Sequence, residues 1–175
     1  MAFWQFTRLK FVYPVILLIL FFLDGTLMSA LGGYFTHFPF HILPMLTFVW
    51  LFFGIQFKVY QDIPFWWYVL LIGVMFDAYY TGIFGTYIIA FLLGTLIMKQ
   101  LHYWLDERII AGLLLLLIGI VVYLIITYFA GFIIGIANIS LLNFLIYQLV
   151  PTVILNVFIG AIFYYPTWSF FQVLN

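Results

Sequence analysis

Residues 11–33, FVYPVILLILFFLDGTLMSALGG, stay apolar for the length of a bilayer core and contain one charge, Asp24. A helix needs about 20 mostly apolar residues to cross hydrocarbon, so this stretch predicts a membrane span. It exceeds the roughly 7–15-residue core of a signal peptide and reads as a retained first span. Further apolar stretches at 41–57, 64–80, 83–101, 109–134 and 141–165 follow the same rule. The prediction is one integral membrane domain over 1–175, an all-α polytopic bundle of six transmembrane helices with no soluble domain. Charge content agrees. Charged residues make up 6% of the chain, against roughly 25% in a soluble domain, so the natural solvent for most of its surface is hydrocarbon.

The breakers fall between these stretches. Asp62-Ile63-Pro64 has the form of a helix start, with a capping carboxylate and an early proline. Thr81-Gly82 marks a tight hairpin between the third and fourth helices. The segment Ala137-Asn138-Ile139-Ser140 separates the fifth from the sixth. Pro151 should kink the sixth helix, which leaves PTWSFFQVLN as a short tail. The basic residues then set the orientation. Arg8 and Lys10 precede the first span, Lys58 follows the second, and Lys99 and Arg108 flank the loop between the fourth and fifth. With six spans all five lie on one side, and basic residues concentrate on the cytoplasmic side. Both termini are therefore expected in the cytoplasm. Trp4, Trp66, Trp67, Trp104 and Trp168 sit near predicted span ends, as interfacial aromatics do. Trp50 is the one inside a span.

Several functions lose their footing. Zero formal net charge offers nothing to nucleic acid or to an acidic partner. The absence of cysteine removes thiolate metal sites and a cysteine nucleophile. His37 and His41 are four apart without an HExxH pattern, and His102 lies in a polar loop. No GxSxG and no glycine-rich phosphate loop is present. No catalytic group, metal site or cofactor is expected.

The informative residues are polar groups inside spans. Asp24 lies mid-span in the first helix and Asp77 in the third. A carboxylate in a span costs about 2.5–3.5 kcal/mol on insertion scales, so it should face the bundle interior. No lysine or arginine lies in the interior of a span, Lys99 standing at the end of the fourth, which leaves protonation, hydrogen bonds or a partner's cation to compensate it. Either acid could organise a polar centre or contact another membrane protein. Either could instead cap backbone near a helix end. Small residues repeat at helical spacing: Gly25, Ser29 and Gly33; Gly73, Asp77 and Thr81; Thr86, Ala90 and Gly94; Gly131 and Gly135. Such stripes let helices approach closely, within one bundle or across an interface. Gln148, Thr152 and Asn156 share one face of the sixth helix, beside Asn143. They are expected either to repair the carbonyl freed by Pro151 or to line a ligand site.

The runs LFFLDGT in the first helix, GVMFDAYYTGIFGTY across the third and fourth, and LVPTVILNVFIGAIFYYP in the sixth resemble the MreD family of rod shape-determining proteins. The resemblance covers essentially the whole chain. Its most specific piece is Gly73-x-x-x-Asp77 followed by Gly82 and Gly85, and next Pro151-Thr152 with Asn156. It implies a non-enzymatic scaffold in the bacterial plasma membrane that maintains rod shape and directs lateral peptidoglycan synthesis. The implied partners are MreC and, through it, MreB, RodA and a class B penicillin-binding protein. It also implies a fold similar to the substrate-binding subunits of energy-coupling factor vitamin transporters. That likeness supplies the competing reading, a vitamin-binding transporter subunit. The single alanine of the first helix, Ala30, weighs against it, because such subunits often carry alanines four apart there.

Overall fold

The structure is a computed structural model and describes residues 2–105, 108–135 and 139–174, with side chains from Leu9 onward. The expected turn residues Ala137 and Asn138, and the side chains of Trp4 and Arg8, lie outside the described residues and side chains. Among the described residues the chain forms six helices and no strand. Helix α1 is Ala2–Phe35 and α2 is Leu46–Gln56. Helix α3 is Phe65–Phe76, prolonged by a π turn at Asp77–Thr81. Helix α4 is Thr86–His102 and α5 is Ile109–Ile133. Helix α6 is Leu141–Leu174, with a π turn at Leu145–Leu149. The helices α1 from Leu9, α5 and α6 are each long and apolar enough to cross a membrane, and α2 and α4 are shorter apolar helices.

The centre of the bundle is α2. Residues Thr47 to Gln56 are all buried, as a helix that is apolar all round must be. It packs against α1, α4, α5 and α6, while α4 lies between α3 and α5. Tyr13 and Trp50 tie α1 to α2 reciprocally. The Tyr13 hydroxyl donates to the Trp50 carbonyl and the Trp50 indole donates to the Tyr13 carbonyl, each at 3.3 Å. Trp50 is thus a core residue, whereas Trp67 and Trp104 are exposed.

The basic residues with described side chains gather at one end. The Lys10 carbonyl accepts from the Tyr68 hydroxyl in the first turn of α3. Lys58 and Lys99 border one cavity, and Lys58, Arg108 and the last turns of α6 border another. Lys99 lies over the rings of Tyr60 and Trp66, 5.2 Å from each centroid, a cation–π arrangement.

Four boundaries differ from the sequence expectation. Helix α1 begins at Ala2 and not near residue 11. Helix α2 begins at Leu46 and not at 41, because Pro44 lacks an N–H and disfavours helix at the residue before it. Helix α4 begins at Thr86 and not at 83, because Gly82 and Gly85 form a turn. Helix α6 does not end at 165. It continues through Pro166 to Leu174, so the expected tail is helical.

Candidate functional site

Residues 41–45 run without helix at bundle depth, and their backbone groups must find partners inside the protein. Helix α6 supplies them in a ladder at every second residue. The His41 amide donates to the Tyr147 carbonyl at 2.9 Å. The Leu43 amide donates to the Thr152 hydroxyl at 3.1 Å, and the Leu43 carbonyl accepts from the Asn156 side-chain NH2 at 2.8 Å. The Met45 amide donates to Asn156 Oδ1 at 2.8 Å. Pro44, which has no N–H, occupies the one position that needs no partner. The Tyr147 carbonyl lies four residues before Pro151, so the proline leaves it without its helical donor. His41 fills that vacancy. Thr152 and Asn156 therefore serve the 41–45 segment rather than the kink, apart from one bond from Asn156 to the Thr152 carbonyl at 2.8 Å.

Asp24 completes the ladder. Its Oδ1 accepts from the Leu46 amide at 2.8 Å and its Oδ2 from the Thr47 amide at 2.9 Å. A carboxylate on α1 thus caps the N-terminus of the central helix, where free amides and the helix dipole favour negative charge. Asp24 is 5% exposed. Met45, the residue before α2, has no side-chain cap of its own, so the cap comes from a different helix.

Asp77 repeats the device at the α3–α4 hairpin, fully buried. Its Oδ2 accepts from the amides of Gly85 at 2.7 Å and Ile88 at 3.3 Å, and its Oδ1 from Tyr87 at 2.8 Å. Its own carbonyl accepts from the Gly82 amide at 2.7 Å. Gly82 and Gly85 have φ of 67° and 115°, left-handed values that cost a side chain about 1–2 kcal/mol. Gly73, one turn before Asp77, faces the backbone of α4. A Cβ there would lie 2.7 Å from the Ile88 Cα. The Gly73, Asp77, Gly82, Gly85 motif is therefore one device that builds and closes this hairpin. Gly73→Ala must push α3 from α4, since backbone cannot rotate away, at about 1–3 kcal/mol. A lowered thermal midpoint in detergent is expected, and an unchanged midpoint would mean that the helices separate freely.

The other candidates divide. A Cβ at Gly25 would meet the Tyr80 ring and hydroxyl, and that hydroxyl donates to the Phe21 carbonyl at 3.1 Å. Gly25 thus seats the end of α3 on α1. Ser29 and Gly33 do not join it. Ser29 is exposed and a Cβ at Gly33 would meet nothing, so the outer half of that stripe is open. Gln148, on the π turn of α6, borders a cavity of about 370 Å³. Asp24 lies in the wall with Phe48, Phe91, Tyr87 and Tyr123. The sequence reading missed this aromatic enclosure, because its rings come from five helices with no common spacing. It also missed Pro44, whose residue type was the available signal.

No curated protein and no solved structure matches the chain. The family model described as rod shape-determining protein MreD matches residues 9–174. That range contains the ladder, both carboxylate caps and the glycine turn. The chain belongs to the MreD family, and so to the system that determines rod cell shape.

Proposed function

We propose that this protein is a non-enzymatic membrane scaffold that holds MreC within the cell-elongation machinery and so helps direct lateral peptidoglycan synthesis. RodA, the class B penicillin-binding protein and MreB join through that pair. The observation that carries the reading is the family match over nearly the whole chain. The geometry is in keeping with it, because both buried carboxylates are spent on backbone amides. The open stripe of Ser29 and Gly33 on α1 is the first surface to offer MreC's membrane helix, since small residues four apart admit close helix contact. Single cysteines placed along every helix, crosslinked in cells that contain both proteins, should capture MreC at a contiguous face that includes this stripe. If no position on any helix captured MreC, the scaffold reading in this form would fail.

The scaffold reading sets the protein in the plasma membrane as a multi-pass chain with both termini cytoplasmic. The gathering of Lys10, Lys58, Lys99 and Arg108 at one end supports that orientation. Reporter fusions after Lys58 and at the carboxyl terminus should report cytoplasm. An external signal at either would overturn it. One observation favours a second reading, a ligand-binding subunit of an energy-coupling factor transporter. The 370 Å³ cavity lies within the usual size of small-molecule sites, roughly 300–1,000 Å³. A stoichiometric small molecule in the purified protein, seen by mass spectrometry of an extract, would support it.

A further inference from the structure

We propose that the aromatic cavity beside the start of α2 binds a small organic cation that carries a hydroxyl near its ammonium centre. The inference rests on the cavity that the ligand-binding reading uses, and it requires no transport. Three departures from α-helix meet on the wall of this cavity. The non-helical segment contributes Leu43, Pro44 and Met45, the π turn of α3 contributes Tyr80, and the π turn of α6 contributes Gln148. Non-helical backbone at membrane depth is tolerated where it is buried in protein or lines a cavity, and π turns collect at functional sites. A bundle built for packing alone has no need to bring all three to one void.

An unspent polar group faces this cavity. Tyr123 is 4% exposed and stands in the wall. The rings of Phe91, Phe48 and Tyr87 hold its ring in place, with centroids 5.1, 5.2 and 5.9 Å away. Its hydroxyl makes no hydrogen bond among the described residues, yet it is not one of their sealed, unpaired polar atoms. The surface left to it therefore opens on the cavity. A buried hydroxyl without a partner is costly, and a ligand hydroxyl would supply one. The rest of the lining sets the charge. Eight of its sixteen residues are aromatic, Asp24 is an acid, and none is lysine, arginine or histidine. Aromatic faces attract cations, most strongly where water is excluded. Tyr87 is also in the first turn of α4 and Lys99 in its last, which sets the cavity apart from the basic end. Such an enclosure favours a cation and disfavours an anion.

The test uses the full chain purified in dodecyl maltoside and probes that separate charge from hydroxyl. These are choline, its uncharged isostere 3,3-dimethylbutan-1-ol, and tetramethylammonium, which lacks the hydroxyl. Isothermal titration calorimetry at matched ionic strength should show choline binding saturably at a single site. The uncharged alcohol should bind about tenfold more weakly. Tyr123→Phe keeps the ring and removes the hydroxyl, so it should weaken choline about fivefold and leave tetramethylammonium unchanged. The same change at Tyr103, exposed at the far end of α4, should alter neither. Equal loss of both cations in Tyr123→Phe would overturn the role given to the hydroxyl. Ethanolamine and lysophosphatidylethanolamine, as competitors for choline, then distinguish the source. The stronger of the two assigns the ammonium to a soluble amine or to a lipid headgroup, and either result supports the site. Choline bound no better than its isostere, or no saturable binding of any ammonium probe, would overturn the proposal. A neutral or anionic molecule retained by the purified protein in that case would leave the transporter reading standing without this one.

Discussion

Asp77→Leu should deprive the α3–α4 hairpin of its closure and lower the stability of the protein by about 3–5 kcal/mol. Three amides, those of Gly85, Tyr87 and Ile88, donate to this one side chain. Each buried donor left without a partner costs about 1–3 kcal/mol. Part of that will be recovered, because the turn lies near a bundle end where water can reach displaced amides. Asp77→Asn is the sharper experiment. On sequence alone asparagine looks nearly isosteric and harmless. The geometry says otherwise, because both carboxylate oxygens accept from N–H groups. An asparagine must turn its NH2 toward at least one of those donors, so a loss of about 2 kcal/mol is expected. Asp77→Lys should be worst, since it replaces an acceptor with a cation at the positive end of a helix dipole. The measurements are thermal unfolding in detergent and membrane abundance, with cell width as the functional reading. Asp77→Leu within about 1 kcal/mol of wild type would show that the amides find other partners at no cost.

Much of this arrangement was legible in residue types. Long apolar runs gave the helices, and isolated acids with no intramembrane cation pointed to interior polar contacts. The capping alternative, raised for both acids, matches the bonds that Asp24 and Asp77 make. What stayed hidden depended on which helix faces which. Asp24 meets Leu46 and Thr47, 22 and 23 residues away, and Asn156 meets Met45, 111 residues away. No local period encodes those pairings. A hydropathy window is equally blind to backbone state. HILPM scores as the start of a span, and only the proline signals that five residues will lie outside the helix and need side chains from α6. The small-residue stripes show the same limit. Gly25 and Gly73 are packed and Gly33 is open, although all three read alike in sequence. The aromatic cavity depends on the shape left between helices, which composition does not carry.

The largest coupled effect should come from Asp24 and Asn156, which hold successive amides of one turn. Asn156 takes Met45, and Asp24 takes Leu46 and Thr47. Asp24→Ala exposes two amides at the start of a buried, mostly apolar helix, so about 2–4 kcal/mol should be lost. Asn156→Ala removes the partner of the Met45 amide and of the Leu43 carbonyl, with a loss of similar size. The two changes should not add. Once either anchor is gone, residues 43–47 can move toward water or re-form as helix, and the remaining anchor then holds a segment that has already shifted. A double-mutant cycle by thermal or denaturant unfolding should therefore give a double variant at least about 1 kcal/mol more stable than the sum of the single losses predicts. Asn156→Ala combined with Asp77→Ala is the control. Those side chains share no partner in the structure, so their losses should add to within about 0.5 kcal/mol. Additivity in both cycles would mean that Asp24 and Asn156 cap separate pieces of backbone and that α2 has no single anchored start. Coupling in the first cycle alone would identify residues 43–47 as one cooperative unit, the point where the central helix is fixed to both α1 and α6.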